Sequence, residues 1–227
     1  MVQIDYFLYI AKLVLKYSLL ISYNMIIIPL FMKIFKYIIT IFILFSSQAF
    51  AADDPDVFLK NSVEEISAFI SDNKEMLDSD ENYLKSKVDE LVIPKLDIEL
   101  MSKIVLGKKN WTSMNPSLQT EFQEAFRSLM VKTYMKSLTS FDGEKLNFLP
   151  YKIGKRKDLA KVKSVYFLNE GELNVNYSLR LDQSGIWKVY DINIDGISLL
   201  RNYRSDFRSH IERHSIDSLI TELQEKY

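Results

Sequence analysis

The 227-residue sequence predicts a mixed α+β domain in which helices come first, an antiparallel sheet of about four strands follows, and helices close the chain. Three observations carry this expectation. From about residue 56 to about residue 140 the apolar residues recur every three to four positions, the mark of amphipathic helices. After Gly143 the period drops to two, as in strands with one buried and one wet face. From Ser198 the helical period returns and runs almost to the C-terminus.

In the first helical stretch, Asp56 opens a helix in which Val57, Phe58, Val63, Ile66, Phe69 and Ile70 share a face, and the polar run 71–73 ends it. A second helix is expected from Glu81 to Val92, stopped by Pro94. Asp97 then caps a short helix holding Ile98, Leu100, Met101, Ile104 and Val105, closed by Gly107. Asn115 and Pro116 start the longest helix, which reaches about Ser140, proline being tolerated in a first turn. Leu118, Phe122, Ala125, Phe126 and Leu129 form one stripe on it, while Val131, Tyr134, Met135 and Leu138 swing to the other side. A helix apolar nearly all round passes through the domain centre or forms one wall of a cavity.

The clearest strand is 173–182, where Leu173, Val175, Tyr177, Leu179 and Leu181 alternate with polar residues. Its neighbours are 146–151, 161–168 and 186–194, joined through turn residues around Gly154, Gly171 and Gly185, so a four-stranded meander is the simplest arrangement. Helices must cover its apolar face. Two closing helices run from Ser198 to about Glu212 and from Ser215 to about Glu225; on the first, Leu200, Tyr203, Phe207 and Ile211 make an apolar floor beside Arg201, Arg204 and Arg208. Guanidinium groups suit phosphate and carboxylate partners, so this basic rim is a candidate for a head group or a docking partner; a solvated shoulder paired with Asp206 and Glu212 is the plainer reading.

Composition narrows the function. With 29 basic and 30 acidic residues the chain has no cationic excess, which argues against nucleic acid as a partner. The absence of cysteine removes disulfide frameworks, thiolate metal sites, cysteine nucleophiles and a lipidated cysteine. Residues 1–51 carry only Asp5, Lys12, Lys16, Lys33 and Lys36 as charges, which leaves 25 basic and 29 acidic groups beyond them. The head ends as a secretory signal does, with a basic segment at Lys33 and Lys36, an apolar run from Ile38 to Phe45, and Ala49-Phe50-Ala51 as a cleavage site. Charge-free runs of 16 residues are short for a spanning helix, so residues 1–51 are read as a leader with Met32 as the functional start and cleavage after Ala51; an extended leader or uncleaved anchor is the alternative. Residues 52–227 are then one exported domain.

Catalytic motifs are absent: no nucleophile elbow, phosphate-binding glycine loop, dinucleotide fingerprint or zinc-protease helix occurs. His210 and His214 are spaced to face one side of a helix, but no third metal ligand is indicated, and no metal or catalytic residue is assigned. Asp191 and Asp195 flank the end of the last long strand, where a turn role is expected over that of a base.

A series of short segments gives the chain a more specific character. Val105-Leu106-Gly107 with Trp111, the run from Phe126 to Tyr134, Trp187 to Ile192, Asp195 to Leu199, Asn202 to Phe207, and Ile216 to Ile220 occur in an order that resembles the MlaC or toluene-tolerance auxiliary family. Arg213-His214-Ser215 departs from that pattern, since a glycine is expected at the last bend. The resemblance implies a curved antiparallel sheet wrapped by N- and C-terminal helices around an apolar cavity. It implies a periplasmic carrier, acting as a monomer without a cofactor, that takes glycerophospholipid as cargo between an inner-membrane ABC transporter complex and an outer-membrane lipoprotein associated with porin, and so maintains outer-membrane lipid asymmetry. The expected lining is Met101, Met130, Tyr134 and Leu138 from helices, Val175, Tyr177, Leu179, Tyr190 and Ile192 from strands, and Tyr203 and Phe207 from the penultimate helix. Each is equally a residue that packing alone would bury. The alternatives are a small pocket enzyme acting on an apolar molecule, with Asp191 as base and Tyr134 or Tyr190 as donor, and an interaction module with a filled core.

Overall fold

The computed structural model describes residues 54–139, 145–151, 154–168 and 171–227; the leader expected over residues 1–51 lies outside them. The order of elements is helices, strands, helices, and the sheet has five strands where four were expected.

Helix α1 runs from Pro55 to Ser79, longer than its periodicity indicates. Asn73 departs from helical geometry (φ −122°, ψ 15°) and kinks the helix without ending it, because its side-chain amide donates to the Phe69 carbonyl at 2.9 Å. Helix α2, Glu81–Lys87, is capped by Asp80, whose Oδ1 accepts from the amides of Asn82 and Tyr83. The expected continuation to Val92 instead widens into a π-type turn at Val88–Val92 and tightens into a 3₁₀ turn at Ile93–Lys95. Pro94 accounts for this, since its ring lacks an N–H and clashes with the carbonyl four residues back.

Helix α3, Ile98–Ser113, starts on Asp97, which accepts from the Leu100 amide at 3.0 Å. Gly107 interrupts the helix rather than closing it; its φ of 75° with ψ of 157° is open only to glycine, and the chain resumes helix to Ser113. Helix α4, Pro116–Thr139, is the long one, with Asn115 Oδ1 accepting from the Leu118 amide at 2.9 Å.

The two apolar sides of α4 serve two separate cores. Phe122, Ala125, Phe126, Leu129 and Met130 pack with α3 and with the closing helices α5, Leu199–Arg213, and α6, Ile216–Lys226. Phe126 meets Phe207 of α5 edge to face, with ring centroids 5.9 Å apart. Val131 and Met135 face the other way, onto Ile70 and Leu77 of α1 and Leu84 and Val88 beyond it. The helix is apolar on both sides because it stands between these two clusters.

The strands β1 (Lys145–Phe148), β2 (Leu159–Leu168), β3 (Gly171–Leu181), β4 (Trp187–Ile194) and β5 (Ile197–Ser198) form an antiparallel meander in chain order. Its register aligns Val162 with Tyr177 and Ile192, and Ser164 with Val175 and Ile194. The fifth strand follows a tight turn in which Asp195 (φ 45°) and Gly196 (φ 87°) both adopt positive φ, as an Asp-Gly hairpin turn requires.

One bulge decides which residues of β4 face the sheet core. Leu179 pairs with Val189 but Ser178 pairs with Asp191, so Tyr190 is the extra residue. Trp187, Val189 and Ile192 pack into the cluster of β2 and β3, whereas Tyr190 packs against the helical core. Simple alternation would put Tyr190 and Ile192, both expected in the lining, on one face; the bulge separates them.

Candidate functional site

Between α1 and the sheet lies an apolar pocket of about 450 Å³, within the usual size range of ligand pockets. The helical wall is one face of α1: Phe58, Leu59, Ser62, Val63, Ile66, Ser67 and Ile70. Their spacing of three and four residues is what one side of a helix presents. The opposite wall is one face of the sheet: Tyr166 of β2, Leu173, Val175 and Tyr177 of β3, and Val189, Ile192 and Ile194 of β4. Val92, Lys95 and Leu96 close one side, and Ser137, near the end of α4, also contributes.

Polar groups in this lining are few. The hydroxyls of Tyr166 and Tyr177 are 3.0 Å apart and share a hydrogen bond across β2 and β3. Burial, followed by the neighbouring Tyr166 phenol, raises the Tyr177 pKa, so the phenol is neutral. Lys95 is the one charged residue among the described lining residues, and its ammonium lies 2.7 Å from Glu65 Oε2 on α1.

A larger space of about 680 Å³ lies on the other side of Leu96, among Asp97, Glu99, Lys103, Arg127, Arg180, Asp182 and Lys188. Its cations are already matched: Lys103 with Glu99, Arg127 with Asp89, Arg180 with Asp97 and Lys188 with Asp182. It is a polar cleft between paired side chains. The apolar pocket has the character of a binding site because its walls leave hydrocarbon unmatched.

The model of a family described as MlaC protein matches residues 60–225. The chain belongs to the MlaC family. A member from Haemophilus influenzae, the intermembrane phospholipid transport system binding protein MlaC, is 24% identical over 210 residues, covering 89% of this chain and 95% of the relative. The toluene tolerance protein ttg2D of Pseudomonas putida is 23% identical, over 74% of this chain and 77% of its own length. A phospholipid-binding protein from Ralstonia solanacearum, solved in complex with a phospholipid, superposes with a TM-score of 0.69 at 25% identity, covering 76% of this chain and 96% of that one.

Of the lining residues expected as inward-facing apolar positions, the structure brings Val175, Tyr177 and Ile192 together on the pocket wall. Leu179 is fully buried in the same sheet core but away from the pocket. Met101, Met130 and Phe207 lie in the helical core, with Tyr190 and Tyr203 packed against it. These five follow α3, α4, α5 and the β4 bulge away from the pocket. Tyr134 is exposed at the surface, and its hydroxyl accepts from Tyr203 at 3.3 Å; burial raises the Tyr203 pKa. The side chain of Leu138 lies outside the described residues.

The basic rim on α5 does not reach the apolar pocket. Arg204 donates to the Ile104 carbonyl at 3.1 Å and lies over Gly107, where it serves the broken end of a helix turn. Arg208 pairs with Glu212 at 2.7 Å, and Arg201 is exposed on the same helix. Asp191 is occupied as well: its two oxygens accept from Ser198 Oγ at 2.8 Å and the Leu200 amide at 3.2 Å, tying β4 to the start of α5. It is not among the pocket's lining residues, so the base imagined for a pocket enzyme is not at the pocket. His210 is 3.2 Å from Glu222 and 3.3 Å from Ser218, and the described residues contain no cluster of three metal-ligating side chains.

The helical wall was missed by sequence reasoning. The signal was present in Ser62 and Ser67, small polar residues interrupting an otherwise apolar face of α1. A face built only to pack against the sheet would be filled by large side chains.

Proposed function

We propose that this protein is a periplasmic phospholipid carrier, exported with residues 1–51 as its leader, that shelters acyl chains between α1 and the sheet. The observation that carries the reading is the apolar pocket, in a fold shared with a protein solved with a phospholipid bound. Exposing a chain to water costs about 0.8 kcal/mol per CH₂, so lipid monomers hardly cross an aqueous space unaided. A protein wall of isoleucine, valine, leucine and phenylalanine replaces the bilayer interior at little net cost, which lets the cargo leave as well as enter.

The proposed tail contacts are Phe58, Ile66 and Ile70 from α1 and Val175, Tyr177 and Ile192 from the sheet. The pocket needs no cofactor, and the chain has no nucleotide-binding motif, so net direction has to come from its partners. In this reading those partners are an inner-membrane ABC transporter complex and an outer-membrane lipoprotein associated with porin, and the shuttle between them maintains the asymmetry of the outer membrane.

Native mass spectrometry of protein purified without detergent from a periplasmic extract tests the proposal. A bound species of phospholipid mass, identified after organic extraction, is the expected result. Protein that arrives empty and takes up no phospholipid from vesicles would overturn it.

A further inference from the structure

Lys95 stands out in the pocket for a reason of chemistry. Every other described lining residue is apolar or a neutral hydroxyl. Its ammonium does not sit alone but meets Glu65 of α1 at 2.7 Å, across thirty positions of sequence. The Glu65 side chain is 55% exposed and that of Lys95 24%. Because the Glu65 side of the pair is more than half exposed, water and salt screen it and it contributes modestly to folding. The pair is therefore inexpensive to open, and opening it releases one cation and one anion side by side at the edge of a hydrocarbon pocket.

A phospholipid whose tails fill that pocket brings charges of its own. Phosphatidylethanolamine carries a phosphate and an ammonium separated by two carbons, the mirror image of the Lys95–Glu65 pair. Its phosphate can take Lys95 while its ammonium takes Glu65, so two cross pairs replace the pair within the protein and the one within the head group, and no charge is left unmatched. Phosphatidylglycerol carries only the phosphate. It can take Lys95, but Glu65 then loses its partner and faces an anion, a like-charge contact that disfavours the bound state.

Resting on the carrier reading, we infer that the Lys95–Glu65 pair reads the cargo's head group and gives the pocket a preference for zwitterionic phosphatidylethanolamine over anionic phosphatidylglycerol. Lys95 accounts for phosphate recognition and Glu65 for the choice between head groups.

The test is loading of the purified protein from vesicles containing dioleoyl phosphatidylethanolamine and dioleoyl phosphatidylglycerol in equal amounts, followed by extraction and mass spectrometry of the bound lipid. The acyl chains are identical, so any bias comes from the head. The unmodified protein is expected to take about threefold more phosphatidylethanolamine, the scale of one exposed charge contact. Glu65→Gln is expected to remove that bias or turn it toward phosphatidylglycerol, by lowering phosphatidylethanolamine uptake relative to that of phosphatidylglycerol. Lys95→Gln is expected to lower uptake of both. Thermal unfolding of each variant checks that the fold is kept. Equal uptake of the two lipids by the unmodified protein, or a bias that Glu65→Gln leaves unchanged, would overturn the inference while leaving the carrier reading standing. Failure of the unmodified protein to take up either lipid would instead overturn the carrier reading beneath it.

Discussion

Arg180 places both Nε and Nη2 on the same oxygen of Asp97, Oδ2, at 2.7 and 2.6 Å, while Oδ1 of that carboxylate caps α3 through the Leu100 amide. Asp97 also donates its own amide to the Val189 carbonyl at 2.9 Å. One buried aspartate thus joins β3, β4 and the start of α3, immediately beside Leu96 of the pocket wall.

Replacing Asp97 by alanine removes a helix cap and leaves Arg180 without its carboxylate. Arg180 is about one-third exposed and recovers part of its hydration, so the expected loss is about 2–3 kcal/mol rather than the full cost of orphaning a buried charge. Urea unfolding checks this, and Arg180→Met, which keeps the cap but leaves the buried Asp97 carboxylate without its cation, is expected to cost at least as much.

Gly107 is expected to tolerate no side chain without cost. Gly107→Ala forces a backbone conformation foreign to L-residues, at about 1–3 kcal/mol, and sets a methyl group 3.2 Å from Arg204 Nη2. The guanidinium is the far end of a flexible side chain and can shift, so the backbone carries most of the loss. Adding Arg204→Ala to Gly107→Ala should therefore restore little stability in thermal unfolding.

Pocket and core are separable by substitution. Ile66→Trp, on the α1 wall, is expected to fill the pocket and cut the lipid that copurifies, with a small change in the melting transition. Phe207→Ala, in the helical core away from the pocket, is expected to cost about 3–5 kcal/mol. Its remaining folded fraction should still carry lipid. Loss of lipid and stability together in Ile66→Trp would mark that face as core packing.

The buried Tyr177 phenol makes stability depend on alkaline pH. Its pKa in the folded state is raised above the ordinary value of 10.0, so its contribution is fully present below pH 10 and is lost as the pH climbs beyond it. Melting temperatures from pH 8 to pH 11 are expected to fall above pH 10, and to fall less steeply in Tyr177→Phe. At pH 7 that variant should be about 1 kcal/mol less stable, having lost the hydrogen bond to Tyr166.

Local chemistry accounts for what was legible in the sequence. Asp97, Asn115, Ser198 and Ser215 each cap a helix where their position before an apolar run indicated one, since a cap is satisfied by amides two or three residues away. The alternation from Leu173 to Leu181 likewise sufficed for β3, and the two stripes of α4 already contained its two packing partners. The motif series from Val105 to Ile220 indicated the family that the comparison with residues 60–225 establishes.

The candidate site was legible only in part, and Tyr190 and Met130 show why. Tyr190 has the same parity as Ile192 on the pocket wall, but a single bulge opposite Ser178 turns it toward the helices. Met130 has the right apolarity, but α4 presents it to α3 and the closing helices. Periodicity reports which side of an element avoids water; it carries no information on whether a side chain or a space lies opposite.

By itself, then, the sequence determined the class of fold, the order of its elements, most of their ends and the family. These rest on contacts a few residues apart or on strings of residues in one order. Only the tertiary structure decided that α1 is the helix facing the sheet across the pocket, that the basic rim of α5 is used on its own neighbours, and that Lys95 meets Glu65 and Arg180 meets Asp97. The last two pairs span 30 and 83 positions. Their distances follow from the path of the whole chain, and the pocket between α1 and the sheet is the space that this path leaves unfilled.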